Sequence, residues 1–179
     1  MPSLRRDAAR NRDLILGAAR ELGASGEPLQ LNAVARRAEV GIGTVYRHFP
    51  SPEALAEALV APRFVELIEI ARQKLDDPDA GRALREFLAE ALQVFVEDPA
   101  FAAAAVSATS VRTETDMLRG ELVGQFAALA RRAEAHLRPG LDAMDLMILV
   151  CGLGYSVRLR PEKAAAYFEA MLGELVPAS

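Results

Sequence analysis

The sequence predicts an all-α protein of about nine helices, with a three-helix head near the N-terminus and a helical bundle domain after it. Three observations carry that prediction. Apolar residues recur at helical offsets in nearly every segment, no stretch sustains period-2 alternation, and Ala and Leu dominate the composition. Those two residue types lose little conformational freedom on entering a helix. A hydrophobic share of 51% and a mean hydropathy of +0.11 suit a folded chain and argue against disorder.

The first helix is expected over about Arg6–Ala24, with Leu14, Ile15, Ala18, Ala19 and Leu22 as its apolar stripe. Gly23, Ser25 and Gly26 end it. A short second helix, about Leu31–Ala38, turns Leu31, Val34, Ala35 and Ala38 inward, and Glu39, Val40 and Gly41 form a tight connection. The third, Ile42–Phe49, presents Ile42, Val45, Tyr46 and Phe49 at offsets of 3, 4 and 7. Pro50-Ser51-Pro52 then breaks the chain. Ser51 suits the cap of the next helix, and Pro52 its first position, where a missing N–H costs nothing.

Past that break a long helix runs to about Leu75 and should kink at Pro62, whose ring removes a hydrogen bond. Asp77-Pro78 opens the next, to about Glu97, and Asp98-Pro99 another, to about Arg112. One from about Thr115 to Leu137 ends at Arg138-Pro139-Gly140. Asp142 caps a helix reaching about Val157, and Pro161 opens the last, to about Val176. The division expected is a head over residues 1–51 and a body over residues 52–179.

The totals exclude several classes. A single cysteine, Cys151, permits neither an internal disulfide nor a cysteine-based zinc cluster, and its apolar surroundings suit a small buried hydrophobe. The basic, polar start has no apolar signal-peptide core. The longest uncharged runs, Pro99–Val111 and Leu146–Val157, have 13 and 12 residues, against roughly 18 for a membrane span. A cytoplasmic protein without membrane association is therefore expected. Net charge is −4, which alone argues against nucleic acid. Its distribution does not: residues 1–50 hold eight arginines against five acids, the remainder 13 basic against 20 acidic residues. A basic head on an acidic body fits a protein whose one end meets phosphate.

Two short helices joined by a three-residue turn have the geometry of a DNA-reading helix-turn-helix. With the apolar set of the third helix inward, Gly43, Thr44 and Arg47 point outward and His48 lies at the edge. Gly43 lets the backbone approach the groove floor. Thr44 offers a hydroxyl and a methyl, and Arg47 reaches a guanine edge or a phosphate. His48 and the hydroxyl of Tyr46 are placed to donate to backbone oxygens. A surface helix in an ordinary bundle would show the same pattern, so spacing alone leaves both readings open.

The run Ala35-Arg36-Arg37-Ala38-Glu39-Val40-Gly41-Ile42-Gly43-Thr44-Val45-Tyr46-Arg47-His48-Phe49, followed by Glu53-Ala54-Leu55, resembles the signature of the TetR family of transcriptional regulators. The resemblance covers about residues 10–60. It implies a homodimer that sets one third helix per subunit into the major groove of a palindromic double-stranded operator. It further implies a small molecule in the body that changes the spacing of the heads and releases DNA. Thr44, Tyr46 and His48 fall on the family's usual DNA-contact positions, and Gly43 on its small-residue position. Gln30 stands where the family often has a capping, phosphate-touching Thr. Glu39 replaces a frequent turn glycine, and Pro52 a frequent phosphate-binding Lys. Fewer phosphate contacts and a shallower salt dependence are expected, with Arg5, Arg6, Arg10 and Arg12 able to compensate from a flexible arm.

In the body, the last helix carries Phe168, Met171, Leu172 and Leu175 on one stripe, widened by Tyr167. The helix before it, with Leu153, is apolar nearly all round, more than one covered face requires. These two are the expected dimer interface. An apolar effector pocket is expected among Phe64, Phe87, Phe95, Phe101, Met117, Phe126 and Met147. Which of Arg63, Arg112, Arg119 and Asp145 face inward is not given by the pattern. A helical-bundle metalloenzyme needs Glu-x-x-His pairs, but the residues three before His48 and His136 are Val45 and Ala133. No Gly-rich phosphate loop appears, so neither catalytic residues, a metal nor a cofactor is expected. A DNA-binding regulator without a small-molecule response remains as the alternative.

Overall fold

In a computed structural model the backbone is described for residues 2–25, 27–107 and 109–175; the side chains of residues 2–5, 158, 161 and 172–175 lie outside the description. Nine α-helices appear among the described residues: α1 (Pro2–Ala24), α2 (Leu31–Arg37), α3 (Ile42–His48), α4 (Pro52–Leu75), α5 (Ala80–Glu97), α6 (Pro99–Val106), α7 (Thr113–Arg132), α8 (Ala143–Leu159) and α9 (Ala164–Leu175). Single 3-10 turns occupy Glu134–His136 and Pro161–Lys163. The all-α architecture follows the helical apolar spacing. The chain forms two compact units, Met1–Ala61 and Pro62–Ser179, whose boundary falls within α4.

The first unit closes around Ile15, Ala19, Leu22, Leu31, Val34, Val45, Phe49 and Leu55, each at most 6% exposed. Leu14, expected in this stripe, is instead an exposed residue, and Leu16 takes its place in the core. A helix beginning at Pro2 also puts Arg6, Arg10 and Arg12 on regular structure rather than on an arm. Gly26 lies outside the described residues.

Caps set several boundaries. The Ser51 hydroxyl accepts from the Ala54 amide at 3.2 Å, opening α4 with Pro52 at its first position. Asp79, not Asp77, caps α5, accepting from the Arg82 amide at 2.9 Å. Asp142 and Asp145 form a reciprocal capping box on α8. Two helices end earlier than their spacing suggests. At the end of α6 the Ser107 hydroxyl donates to the Thr109 carbonyl at 2.6 Å and Ser110 to that of Arg112 at 3.0 Å, so side chains take over bonds that a helix would supply. Beyond α7 the chain tightens into a 3-10 turn that lays the ring of His136 on Gly81 of α5, where an added Cβ would meet it at 2.9 Å. His136 is thus half-buried against a neighbouring helix.

Candidate functional site

The outward face of α3 differs from the sequence expectation in one respect. Only Val45 and Phe49, both 0% exposed, anchor it to the core. Ile42 is 40% and Tyr46 52% exposed, so both belong to the open face. The reason is angular. At 100° per residue Ile42, Tyr46, Gly43 and Arg47 span one contiguous sector, while Val45 lies outside it on the Ile42 side and Phe49 has left the helix at its C-cap. A helix of seven residues supported by α1 and α2 on one side needs only that narrower contact. Thr44 and His48 are half-buried on the flank, the His48 ring tilted against Phe49 at 6.2 Å.

The result is a ridge with a bare backbone patch at Gly43 and a cation at Arg47. An apolar side chain at Ile42 and an amphipathic ring at Tyr46 complete it. This set suits the edges of bases: Arg47 for guanine or phosphate, Ile42 for a thymine methyl, and the Tyr46 hydroxyl for a phosphate oxygen. Ile42 was missed because the full helical period counted it as core.

The flanking positions complete the surface. Gln30 stands at the N-cap of α2 in extended conformation, exposed and making no side-chain cap bond. Its amide is therefore not consumed by its own helix. Glu39 holds φ at +54°, the only positive value at a non-glycine residue among the described ones. The Val40 amide donates to the Ala35 carbonyl at 3.1 Å and the Glu39 amide to that of Arg36 at 3.3 Å. This is a Schellman turn with glutamate where glycine is favoured. At the start of α4 the Ser51 hydroxyl also holds the exposed Glu53 carboxyl below its usual range.

Within the second unit, α4 to α8 line a partly open cavity of about 80 Å³. Phe64, Phe87, Phe95, Phe126 and Met147, all expected there, line it. Two expected residues do not. Phe101 is fully buried behind the wall, edge-on to Phe64 at 4.8 Å and to Phe95 at 5.5 Å. Met117 is 70% exposed: the cavity face of α7 carries Arg119, Leu122, Val123 and Phe126, and Met117 lies on its far side. Of the charged residues left open, Arg119 stands on the cavity wall, Arg63 pairs with Glu66, and Asp145 belongs to the cap of α8. Arg112 pairs with Glu114. Cys151 also lines the cavity, and burial pushes its thiol pKa up.

Of the expected interface residues, Leu153 is 1% exposed and packs within its own chain. Tyr167, Phe168 and Met171 are half-buried on α9, while the side chains of Leu172 and Leu175 lie outside the described residues. The open apolar surface is carried instead by α8, where Met144, Ile148, Tyr155 and Leu159 are each 58% exposed or more. Their spacing of 4, 7 and 4 keeps them on one face. Among the described residues no group of three or more His, Cys, Asp or Glu is placed to hold a metal, and no helix is long and apolar enough to cross a membrane.

An all-α fold with this helix-turn-helix is similar to that of transcriptional regulators with a DNA-reading head. Residues 14–59 match the family model described as bacterial regulatory proteins, tetR family. A TetR regulatory protein from Mycobacterium vanbaalenii is 27% identical, with 94% of this chain and 98% of that one covered at a TM-score of 0.55. A TetR transcriptional regulator from Streptomyces coelicolor is 26% identical, covering 93% and 99% at 0.55. The transcriptional regulator FadR from Bacillus subtilis, solved with stearoyl-CoA, shares the fold at 16% identity, covering 90% and 98% at a TM-score of 0.61. No curated protein matches the chain. The head of the chain is thus similar to the tetR family model, and the described fold as a whole to solved regulators of that family.

Proposed function

We propose that this protein is a cytoplasmic, homodimeric repressor that reads a palindromic operator with α3 and loosens its grip when a small, mostly apolar molecule enters the body. The observation that carries the DNA reading is the outward sector Ile42, Gly43, Tyr46 and Arg47, held rigidly by two fully buried anchors in a segment that matches the family. A helix presenting base-reading groups on a fixed scaffold is what major-groove recognition requires. Thr44, His48 and Gln30 would hold phosphates on its flanks. The open stripe on α8, beside Tyr167, Phe168 and Met171, supports pairing with a second copy, because a monomer rarely leaves so regular an apolar face to water. The apolar cavity supports a ligand, and the stearoyl-CoA complex of FadR shows a small molecule bound by a protein of this fold.

The test is operator selection from random duplexes, followed by footprinting. Arg47→Ala should weaken the selected site by about tenfold or more, as expected when a base or phosphate contact worth about 1–3 kcal/mol is lost. Unchanged affinity would remove Arg47 from the interface. Light scattering at micromolar concentration should report a dimer, and a monomer would overturn the assignment to α8 and α9. A regulator without small-molecule response is the second reading, favoured by the small size of the cavity. It differs in that no effector would weaken the operator complex.

A further inference from the structure

We infer that each half-site of the operator carries, opposite the first turn of α3, a pyrimidine recognised by its 5-methyl group; this rests on the DNA reading above and names what that face selects. Thymine is then favoured over uracil at that position, and 5-methylcytosine over cytosine. The observation is an apolar side chain where a base-reading helix is expected to carry polar ones. Ile42 is 40% exposed, while Val45 and Phe49, both 0% exposed, fix the rotation of α3. Its neighbours in the open sector are Gly43, which has no side chain, and Tyr46 one turn further on. A Cβ added at Gly43 would meet nothing within 4 Å, so the space beside Ile42 is open to a base edge.

What can fill that space follows from the chemistry of the groove. The side chain of isoleucine neither donates nor accepts a hydrogen bond. Set against a ring nitrogen, a carbonyl or an exocyclic amino group, it strips water from a polar atom and returns nothing. The major-groove edges of the four bases offer one apolar feature, the methyl at C5 of thymine. 5-Methylcytosine carries the same group at the same position. Residues at the start of a recognition helix are the ones that meet base edges, which is where Ile42 stands.

The shape of the side chain adds to its chemistry. β-Branching leaves isoleucine one strongly preferred χ1 in a helix, so its methyl groups are in place before DNA arrives. Little side-chain freedom is then lost on contact. The rival methyl on α3 belongs to Thr44, which is half-buried on the flank and lies about 160° round the helix from Ile42. The two residues can therefore be told apart by removing one methyl at a time.

The experiment uses the full-length protein and the operator selected from random duplexes. Each thymine of a half-site is replaced in turn by deoxyuridine, in both half-sites at once. At one position the wild type should lose about tenfold in affinity, about three- to fourfold for each methyl left without its contact. With cytosine at that position, 5-methylation should recover a similar factor. Ile42→Ala should bind the thymine and uracil operators alike, and Ile42→Val should keep most of the difference. Should Ile42→Ala not fold, Ile42→Thr, which keeps the β-branched shape, should lose most of the effect, and an unchanged effect there refutes the assignment. A selected half-site without thymine, or a wild type indifferent to every thymine methyl, overturns the inference while leaving the operator complex, and so the DNA reading, intact. A methyl effect that survives Ile42→Ala and disappears in Thr44→Ser overturns it too, by moving the contact to Thr44. A chain that selects no duplex refutes the DNA reading and this inference with it.

Discussion

Replacing Glu39 by glycine should stabilise the protein and tighten its hold on DNA, for two separable reasons. Glu39 sits at φ +54° in the Schellman turn between α2 and α3. A residue with a Cβ pays about 1–2 kcal/mol in the left-handed region. Glycine avoids that strain but loses about 0.5–1 kcal/mol through the greater freedom of its unfolded chain. The net gain lies between about 0 and 1.5 kcal/mol, near about 0.75 at the midpoints, or roughly 2–3 °C in Tm for a chain of this length. The second effect is electrostatic, since losing a carboxylate beside the proposed phosphate contacts should raise affinity at low salt, with the gain fading as salt rises. Glu39→Ala separates the two: it removes the charge but keeps the Cβ, so affinity should rise while Tm stays nearly unchanged. Thermal unfolding and operator titration at two salt concentrations check both. Equal stabilisation by alanine and glycine would refute the backbone argument, and unchanged affinity in both variants would remove Glu39 from the neighbourhood of the phosphates.

Tyr46→Ala should leave stability within about 0.5 kcal/mol, because its half-exposed ring is not core, yet weaken the operator complex; a large drop in Tm would show that the ring packs. Gly154→Ala should destabilise by about 1–3 kcal/mol, since the new methyl would lie 2.5 Å from the ring of Phe95 on the cavity wall. Gly120→Ala, in open space on the exposed side of α7, should instead gain up to about 1 kcal/mol, and equal effects at the two positions would contradict the packing described. Asp77 accepts from the Asp79 amide and from Arg82, which holds its carboxyl below the usual range. A depressed folded-state pKa contributes stability above the unfolded value and loses it as pH falls through the folded one. Asp77→Asn should therefore flatten the acid limb of the stability profile and leave the alkaline limb alone, as chemical denaturation across pH would show.

How legible each feature was depended on how many independent constraints it carried. Helix identity was read reliably because spacing, breakers and caps agreed at Ser51-Pro52, Asp98-Pro99 and Asp142. Boundaries went astray where side chains compete with the backbone, as at Ser107 and Ser110, because that competition depends on a turn not yet built. On α3 the period marks four apolar residues as one stripe, but a short helix held from one side buries only part of it. Whether Ile42 and Tyr46 are core or contact is decided by the partners of α3, which its own seven residues do not contain. The cavity shows the same limit from the other direction. Aromatic residues suggested where it lies, yet Phe101 and Met117 carry the same local signal as Phe95 and Phe126 and sit elsewhere. The more informative mark was the one that violated the pattern. An arginine on the apolar stripe of α7, at offsets of 3, 4 and 7 from Leu122, Val123 and Phe126, is disfavoured by packing alone. Arg119 is accommodated there because only its stem meets the wall, its guanidinium turning out of the stripe to the Asp116 carboxylate and the Ala104 carbonyl.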